Sequence, residues 1–166
     1  MLIKLLLAIA VLFLLILLIG LALPKERVVT RTGQFPIAPE VLYRIITDNN
    51  DWKYRTNLKD LVILKDDEGM QVWDEYTEDG SVIRFTTREK IPETFYSFDM
   101  ESKLFTGYWE ATFKLAEDGG SIFTATEHIR VKNPFVKTLY YLFFNVGKLM
   151  DAYQNDLRGK VERENL

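Results

Sequence analysis

The chain has 166 residues, 48% hydrophobic and 13% aromatic, which suits a protein able to bury a sizeable core and excludes a disordered or fibrous one. Its formal charge of −3, with no basic patch, argues against a nucleic-acid partner. There is no cysteine, and no His/Asp/Glu cluster has metal-ligand spacing, so neither a disulfide framework nor a transition-metal site is expected.

The first element is a run of nineteen uncharged residues, Leu5 to Leu23, LLLAIAVLFLLILLIGLAL. As a helix rising about 1.5 Å per residue, it approaches the thickness of a bilayer's hydrocarbon core. A helix apolar all round suits lipid and is expected to pack little against a soluble domain. Lys4, with the small residues Gly20 and Ala22, also fits a cleaved signal peptide, but the run exceeds the usual h-region of about 7–15 residues, which favours an uncleaved single-pass anchor over residues 1–24. Lys4 on one side, and Lys25, Arg27 and Arg31 offset by Glu26 on the other, do not distinguish the two membrane topologies.

All 24 Asp and Glu lie beyond Pro24 with 20 of the 21 Lys and Arg, so residues 25–166 carry a formal charge of −4 and read as one domain. ERVVTRTGQF is β-branched and alternating, as in a strand. PEVLYRIITD places Val41, Leu42, Ile45 and Ile46 at helical spacing behind Pro39, and Asp48, Asn49 and Asn50 then turn the chain. From Leu61 to Val131 come short strands separated by Glu68-Gly69, Asp79-Gly80 and Gly119-Gly120, hairpin signals that predict a mostly antiparallel sheet. Asn133-Pro134 caps a final helical pattern in which Leu139, Leu142, Phe143, Val146, Leu149, Met150 and Tyr153 share one face. The spacing predicts one helix of roughly thirty residues, about 45 Å long, packed along the sheet, with Tyr140, Tyr141 and Phe144 on its flanks.

That element order resembles the START-like superfamily, which includes the polyketide cyclase/dehydrase-type (SRPBCC) domains and the coenzyme Q-binding proteins. The matching stretches are IAPEVLYRIITDNNDW, GYWEATFKLAEDGGSIFTATEHI and the final helix. The resemblance implies an α+β helix-grip fold, a curved antiparallel sheet of about seven strands around a long C-terminal helix. In that fold Val41, Leu42, Ile45 and Ile46 would wall an internal space, with Trp52 at its rim.

Strand alternation turns Ile83, Phe85 and Thr87 inward, opposite a polar face of Val82, Arg84, Thr86 and Arg88. By the same rule Glu75 falls on the face of Trp73, and Glu127 on the face of Phe123, Ala125, Ile129 and Val131. The lone His128 alternates outward. An inward Glu requires a hydrogen-bonding partner, a ligand or a path to water.

Two functional classes follow. The first is a membrane-anchored domain holding a hydrophobic small molecule, such as a lipid, isoprenoid or quinone, without a cofactor or metal. Its cavity would be lined by Trp73, Glu75, Phe85, Trp109, Phe113, Phe123, Glu127, Leu142, Val146 and Tyr153. The second is a cyclase- or dehydratase-type enzyme with Glu75 or Glu127 as general base. A ligand-free protein-interaction domain is the third alternative.

Overall fold

A computed structural model of the chain describes residues 1–164; Asn165 and Leu166, the end of the expected domain, lie outside the described residues. The chain opens with α1 (Leu2–Ala22), β1 (Arg27–Phe35) and α2 (Pro39–Thr47). The strands β2 (Leu58–Asp67), β3 (Met70–Thr77), β4 (Val82–Ile91), β5 (Phe95–Glu101), β6 (Phe105–Leu115) and β7 (Ser121–Val131) follow. It closes with α3 (Pro134–Phe143) and α4 (Val146–Arg163).

The seven strands form one sheet in the order β1-β7-β6-β5-β4-β3-β2, antiparallel at every pairing. The three expected hairpin dipeptides all lie at turns. Glu68 and Gly69 both have positive φ, 53° and 86°, as a two-residue turn matched to strand twist requires. Gly80 and Gly119 supply the same left-handed backbone at the other two. Register shifts interrupt β2–β3 twice and β4–β5 once, and such bulges add to the twist that curls a sheet.

The inner face carries the core. Trp73, Phe85, Trp109, Ala111, Phe113, Phe123 and Ala125 are buried on it, as alternation requires. α4 lies against this face through Val146, Met150, Gln154, Leu157 and Val161, all buried. Its polar side is latched to neighbouring segments. Arg31 pairs with Asp151 at 2.7 Å, Asp156 accepts the Thr56 amide at 2.8 Å, and the buried Lys160 bridges Asp51 and Glu164. α2 closes one end with Leu42 and Ile46 buried; Val41 and Ile45 are half-buried, and Trp52 packs half-buried against the core.

Two sequence expectations need correction. The single long C-terminal helix is two helices, separated at Phe144 and Asn145, whose backbones are extended. Asn145 caps α4 by accepting the Lys148 amide, and Arg27 donates to the Phe144 carbonyl at 2.8 Å, so the amide and carbonyl that would have bonded each other in an unbroken helix both have partners. The apolar stripe is divided accordingly: Val146 and Met150 are buried, whereas Leu142 and Phe143 are 68% and 81% exposed.

The second correction concerns α1. It is the one helix among the described residues that is long and apolar enough to cross a membrane. It does not stand clear of the rest, however, but packs on α3. Phe13 stacks on Phe135 at 5.3 Å, and the Thr138 hydroxyl donates to the Ile16 carbonyl at 2.7 Å. The cause is local: Gly20 has no side chain, and a Cβ there would overlap the Pro134 carbonyl.

Replacing Leu157, fully buried on α4, with Ala should destabilise the detergent-solubilised chain by about 2–5 kcal/mol. Leu115→Ala, at an exposed hairpin end, should change stability by less than about 0.5 kcal/mol. Urea unfolding of both variants beside the parent checks this contrast.

Candidate functional site

The curl of the sheet over α4 leaves a cavity of about 170 Å³, measured as the space open to the centre of a water molecule. One water needs roughly 10–15 Å³ on that measure, so the space suits an organic molecule. β4, β5 and β6 contribute Ile83, Phe85, Phe98, Met100, Phe105 and Trp109; β7 contributes Phe123, Ala125 and Glu127. α4 closes the other side with Leu149, Met150, Tyr153 and Gln154. The aromatic walls are mutually packed: Phe98 stacks on Trp109 at 4.9 Å, and Trp73 on Phe85 at 5.2 Å.

Of the ten residues read from the sequence as cavity wall, Glu75, Phe85, Trp109, Phe123, Glu127 and Tyr153 border this space. Four do not. Trp73, Phe113 and Val146 are buried but outside the cavity wall, Trp73 stacked beside Phe85 and Phe113 against Tyr43 of α2 at 5.3 Å. Leu142 is solvent-exposed because the break before α4 directs α3 toward α1 instead of along the sheet. Of the α2 residues expected to wall the space, Ile46 alone borders it.

The two inward carboxylates have opposite environments. Glu75 is buried and fully partnered. Arg55 forms a two-pronged ion pair with it, at 2.5 and 2.8 Å, and the Trp73 indole donates to it at 3.1 Å. The Arg55 guanidinium lies over the Tyr153 ring, 5.5 Å from its centroid. Burial of Arg55 would lower its pKa, but the charge and hydrogen bonds of Glu75 outweigh it, so the pKa is raised and the guanidinium is held charged.

The Glu127 carboxyl makes no hydrogen bond or ion pair among the described residues. Its partial accessibility comes from the cavity it borders, and burial among apolar walls pushes its pKa up to about 7. The Tyr140 hydroxyl, on α3 beside the same space, is buried without a partner. Its pKa is raised by burial and then by the nearby Glu127 carboxylate. The Tyr96 hydroxyl and the Gln154 amide nitrogen are further buried polar atoms with no hydrogen-bond partner, and both residues border the cavity.

The two carboxylates do not form a proton-transfer pair. β3 and β7 are four strand spacings apart in the sheet, roughly 19 Å along its surface at about 4.8 Å each. His128 lies on the outer face, its ring stacked on Tyr108 at 4.0 Å.

Arg55, Tyr96 and Gln154 were not among the residues picked out from sequence, and Tyr140 was placed only on the flank of the final helix. The signal for Arg55 was Glu75 itself, since an inward carboxylate calls for a cation and the turn after Trp52 offers Lys53 and Arg55. Gln154 lay on the α4 stripe, four residues beyond Met150.

Neither a protein-family model nor a curated protein sequence matches the chain. Solved structures do match. A START superfamily protein from Mycobacterium smegmatis superposes with a TM-score of 0.68 at 16% identity, over 82% of this chain and 97% of that one. The Zhui aromatase/cyclase from Streptomyces sp. R1128 gives 0.69 at 14% identity, over 85% and 96%. Norcoclaurine synthase from Thalictrum flavum, a point mutant with a transition-state analogue, gives 0.67 at 10% identity, over 85% and 97%. The seven-stranded sheet gripping α4 is thus the helix-grip fold of START-like proteins. The chain sets this fold behind an apolar N-terminal helix.

Two outcomes test this electrostatic arrangement. Arg55→Met leaves Glu75 buried and unpaired and should cost about 3–5 kcal/mol, most of it recovered in Arg55→Met/Glu75→Leu, as measured by urea unfolding. For Glu127 the folded value, about 7, lies above the ordinary 4.5, so the native state binds the proton more tightly between these values. Its contribution to stability is therefore complete below about pH 4.5 and is lost as the pH rises through about 7. Unfolding midpoints measured across that range should fall in the parent and be flatter in Glu127→Gln.

Proposed function

We propose that the chain is a membrane-tethered START-like domain, residues 25–166, held by an anchor over residues 1–24, that binds one hydrophobic small molecule between sheet and α4. The observation that carries the reading is the cavity itself. It has apolar, largely aromatic walls and a few polar atoms that the protein leaves without partners, the composition of sites for greasy ligands bearing a polar group. Glu127 and Tyr140 would meet that polar group, and Phe85, Trp109 and Phe123 the apolar body. A lipid, isoprenoid or quinone has this character.

Binding is favoured over acid–base catalysis by the state of the two carboxylates. Glu75 is committed to Arg55 and Trp73, and Glu127 has no second proton-transfer group hydrogen-bonded to it. An aromatase/cyclase and a synthase are among the structural neighbours, but at 14% and 10% identity they bear on the fold alone.

Native mass spectrometry of the full chain extracted from its own membrane tests the proposal. A lipid or quinone should co-purify at one per chain, and a ligand-free protein in every preparation would count against it. Filling the space gives an independent check. Ile83→Phe, which borders the cavity, should lower the bound fraction at less than the roughly 1–3 kcal/mol cost of overpacking. Phe113→Trp, in the filled core, should incur that full cost and leave binding unchanged.

A further inference from the structure

In the reading above α3 contributes Tyr140 alone, and its other contacts are unusual for a helix beside a cavity. Its buried residues are Lys137 and Thr138, both polar, while Leu142 and Phe143 are open to solvent. The buried pair faces α1. Thr138 donates to the Ile16 carbonyl at 2.7 Å, and the Lys137 ammonium donates to the carbonyl of Leu23, where α1 ends, at 3.1 Å. Gly20, the one buried residue of α1, admits the start of α3.

These contacts fix the depth of α3. Gly20 and Ile16 lie two and six residues before the end of α1 at Ala22, roughly 3 and 9 Å at about 1.5 Å per residue. A helix lying in a membrane interface sits about 5–10 Å into the headgroup–acyl boundary. The exposed Leu142 and Phe143 therefore fall at lipid depth when α1 spans the bilayer. Leu104, 62% exposed in the turn between β5 and β6, joins them: it borders a surface hollow with Val136 of α3, flanked by Lys103 and Lys132. Apolar tips with lysines behind them suit an acyl boundary overlaid by phosphate headgroups.

The cavity opens at the same place. Phe144 and Leu149, on either side of the break between α3 and α4, border the cavity and are 39% and 43% exposed. Tyr140 stacks on Phe144 at 4.6 Å just inside.

We propose that α3 is an interfacial membrane helix clasped to the anchor through Gly20, Ile16 and Leu23, and that the clasp holds the cavity mouth against the bilayer so that ligand passes directly from lipid to cavity. The inference rests on the anchor reading of α1. The occupant of the exposed patch is the acyl region of the bilayer.

The absence of native cysteine allows single-cysteine labelling of the full chain. L142C and F143C would carry an environment-sensitive fluorophore, with L12C in the anchor and L115C at a distant hairpin end as references. The protein is reconstituted in phosphatidylcholine/phosphatidylglycerol vesicles with or without lipids spin-labelled on the acyl chain. Labels at positions 142 and 143 should be quenched to within about twofold of the label at 12, and the label at 115 hardly at all. Quenching at 12 but not at 142 and 143 overturns the proposal and leaves the anchor standing. Loss of quenching at 12 as well overturns both. A shielded but unquenched environment at 142 and 143, as a second copy of the chain would give, also overturns it. Adding Gly20→Leu should reduce quenching at 142 and 143 several-fold while position 12 is unaffected; unchanged quenching there would show that the clasp does not hold α3.

Discussion

The arrangement of the molecule turns on two residues, Phe144 and Asn145, at which a helical pattern is made to stop. An unbroken helix would have laid Leu142 and Phe143 on the sheet together with Val146 and Met150, filling the space between. Breaking a helix frees backbone groups that must find other partners. Here Asn145 takes the Lys148 amide, and Arg27, at the start of β1, donates to the Phe144 carbonyl. Arg31, two turns of pleat further along the same strand, reaches past Gly147 to Asp151. One edge strand thus anchors both sides of the break. It separates α4, which grips the sheet, from α3, which lies on α1.

Within the cavity, the protein treats its two inward carboxylates differently. An isolated buried charge is costly, and the cost is met at Glu75 by a two-pronged arginine and an indole N–H. Nothing equivalent stands at Glu127, which shifts its protonation instead. A fold optimised for stability alone would leave neither that carboxyl nor the Tyr140 hydroxyl unpartnered. Strained or unsatisfied positions concentrate where proteins meet ligands, which is why these two atoms weigh more in the functional reading than the many aromatic side chains around them.

Much of the architecture was legible in the sequence, for reasons that can be named. The hairpin dipeptides carry a backbone requirement that few residues meet, so Glu68-Gly69, Asp79-Gly80 and Gly119-Gly120 marked their turns. Period-two alternation is rigid, so Phe85, Trp109, Phe123, Glu75 and Glu127 were placed on the inner face. Helical periodicity is less discriminating. The stripe from Leu139 to Tyr153 continues through the break without a proline, and only tertiary partners, Arg27 and α1, decide where it stops. Likewise the turn after Trp52 has no period, so Arg55 had no position until β3 was placed beside it. The apolar face of α1 is uniform in hydropathy, and the packing of α3 there depends on shape at Gly20, which hydropathy does not record.

The register shifts along β2 carry a consequence for how copies of the chain coexist. β2 is an open edge of the sheet, and its outward residues include Val62 and Leu64, 39% and 49% exposed, a composition that invites a neighbouring strand to pair. Confinement to a membrane plane would raise the rate at which such edges meet, since every copy shares one orientation and one height. The two bulges against β3 interrupt the even row of donors and acceptors, and Lys59, Asp60, Lys65, Asp66 and Asp67 place charge along the same edge. An edge broken and charged in this way is poorly suited to pairing with a second copy of itself.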